Sequence, residues 1–137
     1  MNHIRLKALA KINLGLDVLR RKEDGYHEVK MIMQTINLHD QIHLKKIEED
    51  EIRIHTNLYY LPNNENNLAY KAAKMLKDEF HLPGGVFINL KKSIPVAAGM
   101  AGGSSDAAAV LFGMNKMYGL KLSILTQIGR ASCRERV

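Results

Sequence analysis

Ile12, Leu14, Leu16 and Val18 alternate with Asn13, Gly15 and Asp17, the two-residue period of a strand with one face buried. Asp24-Gly25 is a turn pair. The apolar run 29–33 then predicts a second strand, extending toward Ile36. Ile42 with Leu44, and Ile52 with Ile54, repeat the alternation on either side of the acidic run Glu48-Glu49-Asp50-Glu51. That run reads as the solvated end of a hairpin and not as a metal site. From Asn67 the period lengthens. Leu68, Ala72, Met75, Leu76 and Phe80 share one helical face, and Pro83-Gly84-Gly85 stops the helix. Val86, Ile88 and Leu90 return to strand period. A second helix is predicted from about Ser105 to Tyr118, with Ala108, Leu111 and Met114 on one face and Gly119 as its stop. Ser123 can cap a further short helix carrying Leu125 and Ile128. Strands first and helices interleaved later, without a repeated βαβ unit, predict an α+β fold.

Between the last strand and the helix at Ser105 lies a tract of small residues: Pro95, Val96, Ala97, Ala98, Gly99, Met100, Ala101, Gly102, Gly103, Ser104 and Ser105. Its glycines let main-chain N–H groups approach a bulky anion, and the helix that follows turns its unpaired N–H groups and positive dipole end toward the same space. Polyphosphate is the natural occupant. The spacing fits neither Gly-x-x-x-x-Gly-Lys-Ser/Thr, since no lysine follows Gly102 or Gly103, nor Gly-x-Gly-x-x-Gly. A Ser-capped helix after a flexible loop is the plainer alternative. The tract's eleven residues favour the anion site.

The motif Pro-x-x-x-Gly-hydrophobic-x-Gly-Gly-Ser-Ser-Asp-Ala-Ala, from Pro95 to Ala108, resembles the phosphate loop of the GHMP kinases, the superfamily of galactokinase, homoserine kinase and mevalonate kinase. Within it, Ala10-Lys11-Ile12-Asn13-Leu14, Asp24-Gly25-Tyr26-His27-Glu28 and Asn66-Asn67-Leu68-Ala69-Tyr70-Lys71-Ala72-Ala73 are similar to blocks of the 4-diphosphocytidyl-2-C-methyl-D-erythritol kinases of non-mevalonate isoprenoid synthesis. The resemblance implies an N-terminal domain with a mixed sheet, packed helices and a left-handed βαβ crossover. It implies ATP and Mg²⁺ as cofactors, with phosphates on residues 95–105 and Ser105 as a metal ligand. Asp106 reads either as a further contributor or as a helix cap. By the same resemblance Lys11 is catalytic, Asn13, Tyr26 and His27 bind a cytidine diphosphate-linked methylerythritol, and Asn67 and Lys92 face the ATP base or ribose. Each has a plainer reading: Asn67 as a helix cap, Lys92 and Lys11 as solvated lysines, Tyr26 and His27 as turn decoration. Another GHMP kinase, of homoserine or mevalonate type, and a non-catalytic nucleotide-binding module are the alternative functions. Tyr26-His27 favours a substrate with a nucleobase.

Composition narrows the setting. The 137 residues, 46% hydrophobic and 25% charged, suit one globular domain with a modest core. No apolar run approaches the ~20 residues of a membrane span, and no secretory leader pattern is present, so a cytoplasmic protein is expected. The net charge of +6 is scattered, with no basic stripe interleaved by aromatics, which argues against nucleic acid. Residues 130–137 lack periodicity and hold the single cysteine. The resembled family continues here with Gly-Ala/Ser-Asp-Val/Ile-Pro, whose aspartate is catalytic, and then a second domain. The expected division is therefore a truncated ATP-binding domain over 1–129 and a non-native tail over 130–137, against the alternative of a divergent natural C-terminus. Without that aspartate the 137-residue chain is expected to transfer no phosphate by itself, which a phosphorylation assay with the cytidyl substrate checks directly.

Overall fold

The computed structural model describes residues 1–21, 27–96 and 102–123, leaving aside the side chains of 12–21 and 27–33. Four strands, β1 (His3–Arg21), β2 (His27–Ile47), β3 (Ile52–Thr56) and β4 (Gly85–Lys91), form one sheet with two helices, α1 (Leu68–Phe80) and α2 (Gly102–Tyr118). The sheet order is β1-β2-β4-β3. β1 and β2 are antiparallel, as are β2 and β4, whereas β3 and β4 run parallel with α1 as the crossover. The α+β expectation holds.

The sequence pattern divided the strands differently. The run 29–36 and the pair Ile42/Leu44 belong to one 21-residue strand, β2. Nor does the acidic run close a hairpin, because β4 lies between β2 and β3. The reason is apolar content. Val86, Ile88 and Leu90 are all essentially buried, and the central position gives this strand neighbours on both edges: Leu44 and Ile54 flank Ile88, and Ile42 and Thr56 flank Leu90. The acidic residues stay exposed, with Asp50 paired to Lys77 and Glu51 to Arg53.

Both helices pack on the sheet face that carries these residues. α1 buries Ala69, Ala72, Ala73 and Leu76, with Leu68, Met75 and Phe80 packed around them. It ends at Phe80, the last residue of the expected helical face. His81 takes a left-handed φ of 50°, and its N–H and that of Leu82 both return to the Lys77 carbonyl. α2 begins at Gly102, ahead of the expected start near Ser105, and buries Ala107, Val110, Leu111, Met114 and Met117. Ala108, expected inside, is exposed. The early start follows from packing: a Cβ on Gly103 would sit 2.9 Å from Leu68 of α1, so the glycines let the two helix starts close on each other. Gly119, at φ +61°, follows the last turn as expected.

The turn at 24–25, Ala97–Ala101, the helix expected at Leu125 and Ile128, and the tail 130–137 lie outside the described residues. No helix among those described is long and apolar enough to cross a membrane.

Gly113 marks where α2 crosses the sheet. A Cβ there would lie 2.5 Å from Leu6 Cδ1 and 2.6 Å from Leu44 Cδ1. Gly113→Val should therefore cost about 1–3 kcal/mol through overpacking, read as a lowered midpoint in urea or thermal unfolding.

Candidate functional site

The small-residue tract expected to hold phosphate begins just after β4 and finishes in the first turn of α2, close to a break in the β1–β2 ladder. Pairing passes from Leu9↔His39 to Lys11↔Thr35, so β2 carries two more residues than β1 across this step. The freed Leu9 carbonyl accepts a hydrogen bond from Ser105 Oγ at 2.8 Å. Lys11 follows two residues later, after Ala10, and is half-buried. The ladder break thus falls between Leu9, which ties β1 to α2, and Lys11, two residues along the strand. Pro95 and Val96 are exposed at the tract's entrance, while Gly102, Ser104 and Ser105 are half-buried at its exit.

Beneath the tract sits a charged cluster. Along β2, Asp40 lies in phase with the inward Ile42 and Leu44, and Lys92 lies in phase with Val86, Ile88 and Leu90. Asp106 precedes Val110 by one helical turn on the buried face of α2. Lys92 Nζ donates to Asp40 Oδ2 at 2.6 Å and to Asp106 Oδ2 at 2.8 Å, and no side chain of the three is more than 5% exposed. Asp40 Oδ1 accepts from the backbone N–H groups of Ser93 at 2.6 Å and Ile94 at 2.9 Å. Asp106 Oδ1 is buried without a partner. Asn57 secures the Lys92 backbone, accepting from its N–H at 2.7 Å and donating Nδ2 to its carbonyl at 3.2 Å.

Two carboxylates around one ammonium leave an uncompensated negative charge in a dry site, and the proton balance resolves it. Burial and the neighbouring Asp40 carboxylate push Asp106 up to about 8, against the opposing pull of Lys92. For Asp40, burial opposes ionisation, but Asp106, the Ile94 amide, Lys92 and the Ser93 amide outweigh it and hold the group below its ordinary value. Lys92 is likewise shifted upward, its two carboxylate partners overcoming burial. At neutral pH the cluster is one ammonium, one carboxylate and one carboxylic acid, with no net charge.

The remaining site residues read from sequence fall as follows. Asn67 caps α1, its Oδ1 accepting from the Ala69 N–H at 2.9 Å while its Nδ2 donates to the Pro62 carbonyl at 3.1 Å. Lys92 is the centre of the buried cluster and is not solvated. Asp106 is no helix cap, because α2 starts four residues before it; it projects into the core. Asn13 and His27 are placed in the β1–β2 ladder through their backbones, opposite Met33 and Arg21. Tyr26 and residues 97–101 lie outside the described residues. Asp40 escaped the sequence reading altogether, although its two-residue phase with Ile42 and Leu44 marks it as an inward carboxylate needing a partner.

The opposite sheet face carries a cavity of ≈540 Å³ lined by Arg5, Lys7, Gln41, His43, Asn89 and Lys91 among others. Partial burial and the surrounding charges of Arg5, His3 and Lys45 hold His43 below its ordinary pKa. This cavity is separated from the tract by the sheet itself.

The match to known proteins agrees with this geometry. The model of the GHMP kinases N terminal domain matches residues 67–135, half of the chain, taking in α1, β4, the tract and α2 and running into the tail. The chain belongs to the GHMP kinase family. More particularly, it is 60% identical over 122 residues to the 4-diphosphocytidyl-2-C-methyl-D-erythritol kinase of Lachnospira eligens, covering 89% of this chain and 42% of that protein. It is 55% identical over 123 residues to the same-named kinase of Clostridioides difficile, covering 90% and 42%. A crystal structure of 4-(cytidine 5'-diphospho)-2C-methyl-D-erythritol kinase superposes with a TM-score of 0.82 at 35% identity, over 96% of this chain and 46% of that one. Mevalonate kinase of Methanococcus jannaschii, at a TM-score of 0.74 and 21% identity over 98% and 46%, shares the fold. The chain spans less than half the length of these relatives.

The proton balance gives a signed prediction. Because Asp106 holds its proton to about 8 when folded and releases it near its ordinary 3.8 when unfolded, the folded chain binds one more proton between those values. Stability therefore falls as pH rises through that window, by at most about 1.4 kcal/mol per unit. Asp40, shifted the other way, loses its contribution only below 3.8. Asp106→Asn should remove the slope, so that urea unfolding at pH 5 and pH 8 shows the variant gaining on the parent at the higher pH.

Proposed function

We propose that this chain is the nucleotide-binding half of an ATP-dependent kinase that moves the γ-phosphate to the 2-hydroxyl of 4-diphosphocytidyl-2-C-methyl-D-erythritol. The observation that carries this reading is the 60% identity to a kinase of that name across 89% of the chain. The geometry supplies its physical basis. Residues 95–105 end in the first turn of α2, where unpaired N–H groups and the helix dipole favour polyphosphate. Lys11, half-buried and two residues along β1 from the Leu9 tie to α2, supplies the ammonium that stabilises the negative charge developing on the acceptor hydroxyl. Asn13 hydrogen-bonds the substrate, and Tyr26 and His27 take its cytidine end by stacking and by a polar contact. Asn67 and Lys92 are assigned to the base or ribose by family likeness. Both already carry internal hydrogen bonds that such a contact has to accommodate.

For Mg²⁺ the donor set fits a lightly held ion. The Ser105 hydroxyl keeps acceptor capacity while donating to Leu9, and Mg²⁺ retains several waters alongside one or two protein ligands. When bound, the ion neutralises charge on the transferring phosphates. A kinase of homoserine or mevalonate type shares the fold at about 20% identity, but the greater likeness to cytidyl kinases favours the nucleobase-bearing substrate.

Titration of the isotopically labelled chain by nuclear magnetic resonance tests the reading. Mg-ATP is expected to bind with a Kd within about 1 μM–1 mM and to shift the amides of 93–105. The cytidyl substrate is expected to shift residues 11–27, and homoserine and mevalonate to shift neither. No response to ATP from a folded chain, or a response to homoserine or mevalonate at Lys11, overturns it.

A further inference from the structure

Asp40, Lys92 and Asp106 come from β2, the end of β4 and α2, and between them they grip both ends of the phosphate tract. At the entrance, Asp40 Oδ1 takes the N–H groups of Ser93 and Ile94, the two residues that lead from Lys92 into Pro95. At the exit, Lys92 Nζ reaches Asp106 in the second turn of α2. Gly102, the first residue of that helix, is pressed against the same group: a Cβ there would lie 3.2 Å from Lys92 Nζ and 3.0 Å from Ile94 Cγ2. Asn57 fixes the Lys92 backbone from a third direction.

We infer that this buried cluster is the clasp that sets the span of the phosphate tract, making Asp40, Lys92 and Asp106 positioning residues for phosphate binding. The inference rests on the phosphate-binding reading of residues 95–105. It reassigns Lys92, whose ammonium is turned inward between two carboxylates. It also makes an anion essential to binding an anion. Simple electrostatics predicts that deleting the Asp40 charge strengthens polyphosphate binding. A clasp predicts the reverse, because the Ser93 and Ile94 amides lose their acceptor and Lys92 loses half of its restraint.

The experiment is calorimetric titration of the chain with tripolyphosphate, which has no base or ribose, and with Mg-ATP. In Asp40→Ala both affinities are expected to fall by about tenfold, the lower end of what removing a supporting partner costs a bound ion. Asp40→Asn keeps an acceptor for the two amides and should fall in between. This milder variant carries the test if the alanine variant does not fold, since its expected sign is the same. Lys92→Met should weaken tripolyphosphate and Mg-ATP by the same factor. Unchanged or tighter tripolyphosphate binding by a folded Asp40 variant overturns the clasp, as does a Lys92→Met variant that weakens Mg-ATP alone. If the unsubstituted chain binds neither probe, the phosphate reading fails first and the clasp with it.

Discussion

One ammonium shared between two carboxylates joins parts of the chain that are 52 and 14 residues apart. Desolvating three ionisable groups is expensive, and the site recovers that cost only because each group has defined partners and one carboxyl is neutral. Removing any member leaves a buried charge or an unfilled donor, a loss of about 3–5 kcal/mol in comparable sites. The rest of the architecture is arranged around this point. The sheet stacks Leu6, Ile42, Leu90 and Thr56 in one row. The row beyond them pairs Ala8 with Asp40, beside Lys92, where β4 gives way to the tract. The apolar core and the start of the small-residue tract are therefore consecutive layers of one register.

Much of this was legible in the chain and some was not, for physical reasons. The helix at 68–80 and the strand at Val86 to Leu90 declared themselves because their apolar spacing persists over several turns or pleats. Strand order did not, because the 2-residue period says which face a residue occupies and nothing about its neighbour across the ladder. Only the apolar strength of β4 hinted at a central position. Packing against Leu68 let α2 start at Gly102 despite the poor helix propensity of glycine. Charge misled most. Lys92 reads as a nucleotide contact by resemblance or, more plainly, as solvated beside Ser93, yet its phase with Leu90 turns it inward, and Asp40 went unread for want of the same check.

The small-residue tract stands out in the sequence because an anion site of the kind proposed is made by backbone and not by side chains: small residues and a helix start are visible as composition. Its supporting cluster depends on three residues remote in sequence, so only the fold brings them together. The same division separates what α2 shares with GHMP kinases at about 20% identity from what likeness at 55–60% adds. The fold is common to kinases of several names, and the higher identity sets one of them apart.

The central place of β4 has a further consequence, one of timing. β1 and β2 are adjacent in sequence and can pair as soon as they emerge from the ribosome, but the inner edge of β2 over 41–47 has no partner until residues 85–91 have been made. Through that interval a hairpin of 19- and 21-residue strands carries an open row of N–H and C=O groups beside uncovered Ile42 and Leu44. Lys45 and Lys46 lie within that row, the kind of charged residues that disfavour a wrong partner at an open edge. β4 is joined through α1 to its parallel neighbour, β3, so its two ladders both pair residues distant in sequence.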